Sequence, residues 1–185
     1  MADIYYAPRP EKSLDFASFV LHNYYALKNV RFFTSKHGKP YCDAPFFFSL
    51  SHTKRLIFLC VAGGETGIDA EDVRRRGNFT AIKSRLSPCE RMLADTSDEE
   101  FLKLWTMREA TAKYLDLPVF TSFSRLKFQA RKNDGERMRA EAFFPFFCGK
   151  ALSVNMSAFE LDGHYVSVCL THGENVEKIR FINGI

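Results

Sequence analysis

Long apolar runs are missing from this sequence: no stretch reaches the roughly 18 residues that a membrane-spanning helix needs. The first residues, Met1-Ala2-Asp3-Ile4-Tyr5-Tyr6, lack the basic and apolar regions of a secretory signal. Paired cysteines are missing too. The five present (Cys42, Cys60, Cys89, Cys148 and Cys169) are odd in number, widely spaced and without a Cys-x-x-Cys pair. That argues against a disulfide framework and structural zinc, and predicts reduced, mostly buried thiols in a cytoplasmic protein. A large excess of one charge is also absent. The net charge of +4 suits an acidic partner or an anionic ligand but is too small to imply nucleic acid. No low-complexity linker divides the chain.

What is present is an ordinary globular composition: 185 residues, 46% hydrophobic and 26% charged, enough for one domain or two fused halves. Phenylalanine is abundant, with 19 copies. Its clusters, Phe46-Phe47-Phe48 and the run from Phe143 to Phe147, read as core. Ser13 is an expected N-cap for a helix over Leu14 to Leu27. A short strand is expected at Val30 to Phe33, then a turn at His37-Gly38-Lys39-Pro40. Phe46 to Leu50 and Leu56 to Ala62 read as a hairpin, and a third strand begins near Thr66. Ser87-Pro88-Cys89-Glu90 is a capping box with proline at the first helical position. Ser97 opens a further helix with acidic residues in its first turn, running to about Leu115. Strands follow at Leu126 to Ala130, Arg139 to Phe144, Ala158 to Leu161 and Tyr165 to Leu170, with turn signals at Asn133-Asp134-Gly135 and Asp162-Gly163. Helix followed by strands occurs twice. The expected fold class is therefore α+β with duplicated halves, one domain over 1–185 and pseudo-repeats near 1–72 and 73–185.

Three groups of residues carry chemistry. In Gly67-Ile68-Asp69-Ala70-Glu71, Asp69 and Glu71 are two apart and share one face of a strand. Two carboxylates so placed repel unless a cation lies between them, and a hard divalent ion such as Mg²⁺ takes oxygen ligands. A solvated acidic strand end is the plain alternative. In the segment Trp105 to Lys113, Trp105, Glu109 and Lys113 share a helix face. Glu109 is then a third ligand or a base and Lys113 a phosphate contact, or the two are a surface pair. Arg108 lies off that stripe and reads as a solvated charge. Lys39 on its turn, with Ser51 and His52 at a hairpin tip, offers donors suited to phosphate, or is simply a polar turn.

In this order the segments resemble the Sfp-type 4′-phosphopantetheinyl transferases. The resemblance rests on Gly38-Lys39-Pro40, Phe48 to Thr53, Gly67 to Glu71, Ser87 to Glu90 and Trp105 to Lys113, and covers roughly residues 30 to 118. It implies a pseudo-twofold pair of α+β halves with the active site between them. It implies transfer of the 4′-phosphopantetheine of coenzyme A to a serine of an apo acyl or peptidyl carrier protein, with release of 3′,5′-ADP. Asp69, Glu71 and Glu109 would hold Mg²⁺, with Mn²⁺ also suited. Lys113 would contact the pyrophosphate, Lys39 and Pro40 the adenosine part, and Ser51 and His52 phosphate. Asp69, Glu109 and Lys113 would carry the catalysis, with Glu109 the base for the carrier serine.

Two departures stand out. Arg108 occupies a position where the family usually has Lys. The stretch before Gly38 is short, leaving Lys28, Arg31 and Lys36 as the nearby cations for the 3′-phosphate. Arg74-Arg75-Arg76 is the expected contact for an acidic carrier, and a monomer is expected. A non-catalytic coenzyme A- or carrier-binding relative is the alternative from another class, and a nucleic-acid-binding protein a third. Neither a membrane nor a nucleic acid is an expected partner.

Overall fold

Runs rich in β-branched and aromatic residues recur along the chain. In the computed structural model, which describes residues 1–121, 127–134, 137–143 and 154–183, they form strands packed in layers. In chain order the elements are β1 (Ala2–Pro8), α1 (Ser13–Tyr25), β2 (Phe32–Thr34), β3 (Pro40–Cys42), β4 (Phe47–His52), β5 (Leu56–Ala62) and β6 (Thr66–Asp72). They continue with α2 (Thr80–Lys83), α3 (Pro88–Ala94), α4 (Asp98–Tyr114), β7 (Lys127–Asp134), β8 (Arg137–Phe143), β9 (Val154–Leu161), β10 (His164–Thr171) and β11 (Val176–Phe181). One sheet has the order β11-β1-β5-β4, a second β6-β10-β9-β8-β7, and β2 and β3 form a small ribbon. The α+β class holds.

The layers follow from which faces are apolar. α1 lays Phe16, Ala17, Val20 and Leu21 on one face of the first sheet, against Tyr5, Ala7, Ile57, Leu59 and Val61. Alternate residues of the same strands, Ile4, Phe58, Cys60 and Ala62, face the second sheet and meet Ile68, Ala70, Val166, Val168 and Leu170. The far face of the second sheet receives α4 through Met107 and Ala110, packed on Val154, Met156 and Cys169. The order is helix, sheet, sheet, helix. β5 is buried along its whole length, as expected for a strand covered on both faces.

The two sheets meet along the edges β4 and β6, where no backbone ladder joins them. Two side chains close the seam. Ser49 Oγ accepts the Ile68 N–H at 3.1 Å, and Ser51 Oγ accepts the Ala70 N–H at 3.2 Å. β6 also lies under α4 at close quarters. A Cβ on Gly67 would stand 1.9 Å from the Ala110 carbonyl oxygen and 2.6 Å from the Tyr114 nitrogen. Only glycine allows that approach.

Several boundaries differ from expectation. Ser13 is the first residue of α1, and Lys12 is its N-cap, without a capping side-chain bond. Sequence patterning missed β1 and β11, which pair in parallel at one edge of the first sheet. Their partners lie at opposite ends of the chain, so no local turn announces them. The strand β6 of the N-terminal part joins the second sheet, and β11 of the C-terminal part joins the first. Of the phenylalanine clusters, Phe48 is buried, Phe46 half-buried and Phe47 exposed. The run at 144–147, Cys148 and the Gly135 turn position lie outside the described residues. Cys60 and Cys169 are buried, Cys42 is half-buried and Cys89 is exposed. Among the described residues no helix is long and apolar enough to cross a membrane.

Arg108 corrects an expectation. It is fully buried, not solvated, and its guanidinium donates to both oxygens of Glu90, at 2.6 and 2.7 Å. The same carboxylate accepts the Ser87 N–H at 3.1 Å. One acid thus completes the start of α3 and ties it to α4. Removing one partner of a buried ion pair strands the other charge. Arg108→Ala should therefore lower unfolding stability by about 3–5 kcal/mol in a urea titration. A loss below about 1 kcal/mol, the range of an exposed pair, would contradict this account of the packing.

Candidate functional site

Asp69 is at the centre of the residues singled out in the sequence. Gly67, Asp69 and Glu71 alternate along β6 and turn toward α4, while Ile68 and Ala70 turn to the core. Because α4 approaches Gly67 so closely, Glu109 and Lys113, one turn apart, come over the carboxylates of β6. Lys113 Nζ donates to Asp69 Oδ1 at 2.7 Å and to the Ile68 carbonyl at 3.0 Å. Ser51 Oγ donates to the same Oδ1 at 2.8 Å. Asp69 is buried, and its other oxygen, Oδ2, has no hydrogen-bond partner among the described residues.

The two glutamates feel this crowding. Burial, then the negative charge of Asp69, pushes Glu71 up from 4.5 to about 7. Burial and then Asp69 push Glu109 up to about 7 as well, with Lys113 opposing and Glu71 adding to the rise. Three carboxylates in one partly buried place thus resist ionising together. Arg75 supplies one compensating charge. It donates to Glu71 Oε1 and lies 5.6 Å from the centre of the Phe79 ring. Arg75 is expected from its basic run to contact an acidic partner; the structure places it on Glu71 instead.

Among the described residues, no three Asp, Glu, His or Cys side chains are grouped closely enough to hold a metal ion as they stand. The donor chemistry nevertheless fits a hard divalent cation. An orphaned buried carboxylate oxygen and two glutamates whose ionisation is suppressed by burial and then by a third acid are what such a cation would relieve.

The remaining expected residues divide. Lys39 Nζ donates to Glu65 Oε2 at 2.8 Å and to the Thr66 carbonyl at 3.0 Å, so it reaches the start of β6. Its turn is fastened to the end of α4, where Ser35 Oγ donates to Asp116 Oδ1 at 2.6 Å. Pro40 opens β3 and is half-buried. Ser51 and His52 are separated by strand alternation: Ser51 is buried against Asp69 and His52 is exposed. Of the three nearby cations, Lys28, Arg31 and Lys36 are all exposed, and Arg31 is paired with Asp43 at 2.8 Å. In the basic run, Arg74 pairs with Asp72 at 3.1 Å.

The pH dependence follows from the glutamates. Their folded-state proton affinity is raised, so the folded state binds protons that the unfolded state releases. The stability this contributes is full below about 4.5 and is lost as pH rises through about 7. The melting temperature of metal-free protein should fall across that window. Added Mg²⁺ should raise it more at pH 8 than at pH 5.5. Equal Mg²⁺ effects at both pH values would contradict the assignment of these carboxylates.

A family model described as the 4′-phosphopantetheinyl transferase superfamily matches residues 65–169, more than half of the chain. That span holds Asp69, Glu71, Glu109 and Lys113. The chain is also similar to the 4′-phosphopantetheinyl transferase pptA of Paxillus involutus, with 26% identity over 149 residues, which is 63% of this chain and 57% of that protein. The chain thus spans a little over half the length of that curated relative. With the family model covering both the acidic strand and the helix above it, the chain belongs to the 4′-phosphopantetheinyl transferase superfamily.

Proposed function

We propose that this chain transfers the 4′-phosphopantetheine group of coenzyme A to a serine of an apo acyl or peptidyl carrier protein, in the manner of the Sfp-type enzymes. The observation that supports it best is the buried Oδ2 of Asp69, which has no hydrogen-bond partner among the described residues, with Glu71 and Glu109 near enough to feel the Asp69 charge. Asp69, Glu71 and Glu109 would hold Mg²⁺. When bound, that ion neutralises charge on a pyrophosphate and on the leaving phosphate.

The residues of the chain do the rest. In the reaction, the serine oxygen forms a bond to the β-phosphorus of coenzyme A. The bond from that phosphorus to the bridging oxygen breaks, and 3′,5′-ADP leaves with the electron pair. Glu109 takes the serine proton directly or through water. Lys113, already beside Asp69, has its ammonium at the edge of the acidic group and would contact the pyrophosphate. Lys39 and Pro40 would border the adenosine, and the exposed His52 a phosphate. Positioning and electrostatics carry most such transfers. We read residues 1–185 as one catalytic domain with pseudo-repeats near 1–72 and 73–185, working as a cytoplasmic monomer.

Intact-mass spectrometry of apo carrier proteins from several pathways, incubated with this protein, coenzyme A and Mg²⁺, tests the proposal. The expected result is a gain of one phosphopantetheine on a carrier. It should need the metal and fall at least about 100-fold in rate with Glu109→Ala, the scale of a general-base contribution. No gain on any carrier, together with intact coenzyme A binding, would replace this reading with a binding-only relative.

A further inference from the structure

Ser51 sits where a phosphate contact was expected, yet its hydrogen bonds are already allotted. A serine hydroxyl has one proton to donate and two lone pairs to accept with. The proton goes to Asp69 Oδ1 at 2.8 Å, and a lone pair takes the Ala70 N–H at 3.2 Å. A phosphate oxygen is an acceptor, so it would need the proton that Asp69 holds. Ser51 is also buried, whereas the next residue, His52, is exposed on the other face of the strand.

The consequence falls on Asp69. Among the described residues its Oδ1 receives two donors, Ser51 and Lys113, while Oδ2 receives none. Turning the carboxylate plane away from this orientation would break both bonds inside a buried site, where each lost bond is costly. Lys113 fixes the group from α4 and Ser51 fixes it from the first sheet. The hydroxyl is itself fixed by the backbone of β6, because it also closes the seam between the sheets. Ser49 provides an internal comparison. It makes the matching seam bond to the Ile68 N–H at 3.1 Å, is also buried, and has no bond to Asp69.

We infer that Ser51 is a positioning residue for the cation site: its hydroxyl holds Asp69 Oδ1 so that Oδ2 is the oxygen presented to a divalent metal. This rests on the metal reading above. Ser51 acts on the metal through Asp69, not on coenzyme A through its phosphates.

The test uses Mn²⁺ alone, titrated into the full chain and followed by electron paramagnetic resonance, with coenzyme A binding measured separately by calorimetry in EDTA. Partners that orient a ligand in this way typically change metal affinity by about 10–100-fold. Ser51→Ala should therefore weaken Mn²⁺ binding by about 10-fold or more. Ser49→Ala, which removes the equivalent seam bond, should keep wild-type Mn²⁺ affinity. Coenzyme A binding in EDTA should be the same in wild type and Ser51→Ala. Should the alanine variant not fold, Ser51→Cys, near in shape and a weak donor, supports the same comparison and should also weaken Mn²⁺ binding. Mn²⁺ affinity in the Ser51 variants equal to that of Ser49→Ala overturns the inference. So does a loss of coenzyme A binding in EDTA with Mn²⁺ affinity intact, which would assign Ser51 to the phosphate. A wild-type protein that takes up no Mn²⁺ overturns the metal reading itself, and the inference with it.

Discussion

Everything near the candidate site depends on one buried carboxylate, Asp69, and on the two donors that share its Oδ1. Lys113 comes from α4 and Ser51 from the first sheet, while Asp69 belongs to the second. Three layers therefore converge on one oxygen atom. Gly67 sets the distance, since a side chain there would hold α4 away from β6. The buried Arg108–Glu90 pair ties α3 to the same helix from its other side. A buried charge is tolerated only with such partners, so the packing that brings Lys113 to Asp69 and the electrostatics that keep Asp69 in place are the same feature.

The local signals were legible because they are short-range physics. The apolar run Leu56–Ala62 is β5 as read, and the capping box at Ser87 and the N-cap at Ser97 start helices where expected. Asp162 and Gly163 both take positive φ, 49° and 71°, as their hairpin turn requires. The acidic pair on β6 and the Glu109–Lys113 spacing on α4 could be read as faces. What was not legible is long-range. The parallel pairing of β1 with β11 joins the two ends of the described chain. The burial of Arg108 depends on α3 folding back on α4, a contact no periodicity encodes. Ser51 and His52 were read as a unit, but a strand sends neighbours to opposite faces. Applying the two-residue period to that pair would have separated them.

Charge balance links the fold to the proposed chemistry. Glu71 and Glu109 gain proton affinity because they are buried beside Asp69, and Arg75 offsets part of that at Glu71. A divalent cation would supply the same compensation more fully, at which point the Arg75 bond to Glu71 would no longer be needed. Arg75 is exposed and held by one carboxylate and one aromatic ring, so it can leave without disturbing the core. The basic run therefore has a place in the acidic site itself, besides any contact with an acidic carrier.

The proposed divalent cation centre of Asp69, Glu71 and Glu109 can be observed directly. The most direct measurement is a crystal structure of the protein soaked in Mn²⁺, with anomalous data collected to locate the ion. An anomalous peak is expected against Asp69 Oδ2, shared by Glu71 and Glu109, with Arg75 moved off Glu71 and Ser51 still bonded to Oδ1. No peak among these three carboxylates, with Arg75 still on Glu71, would contradict it.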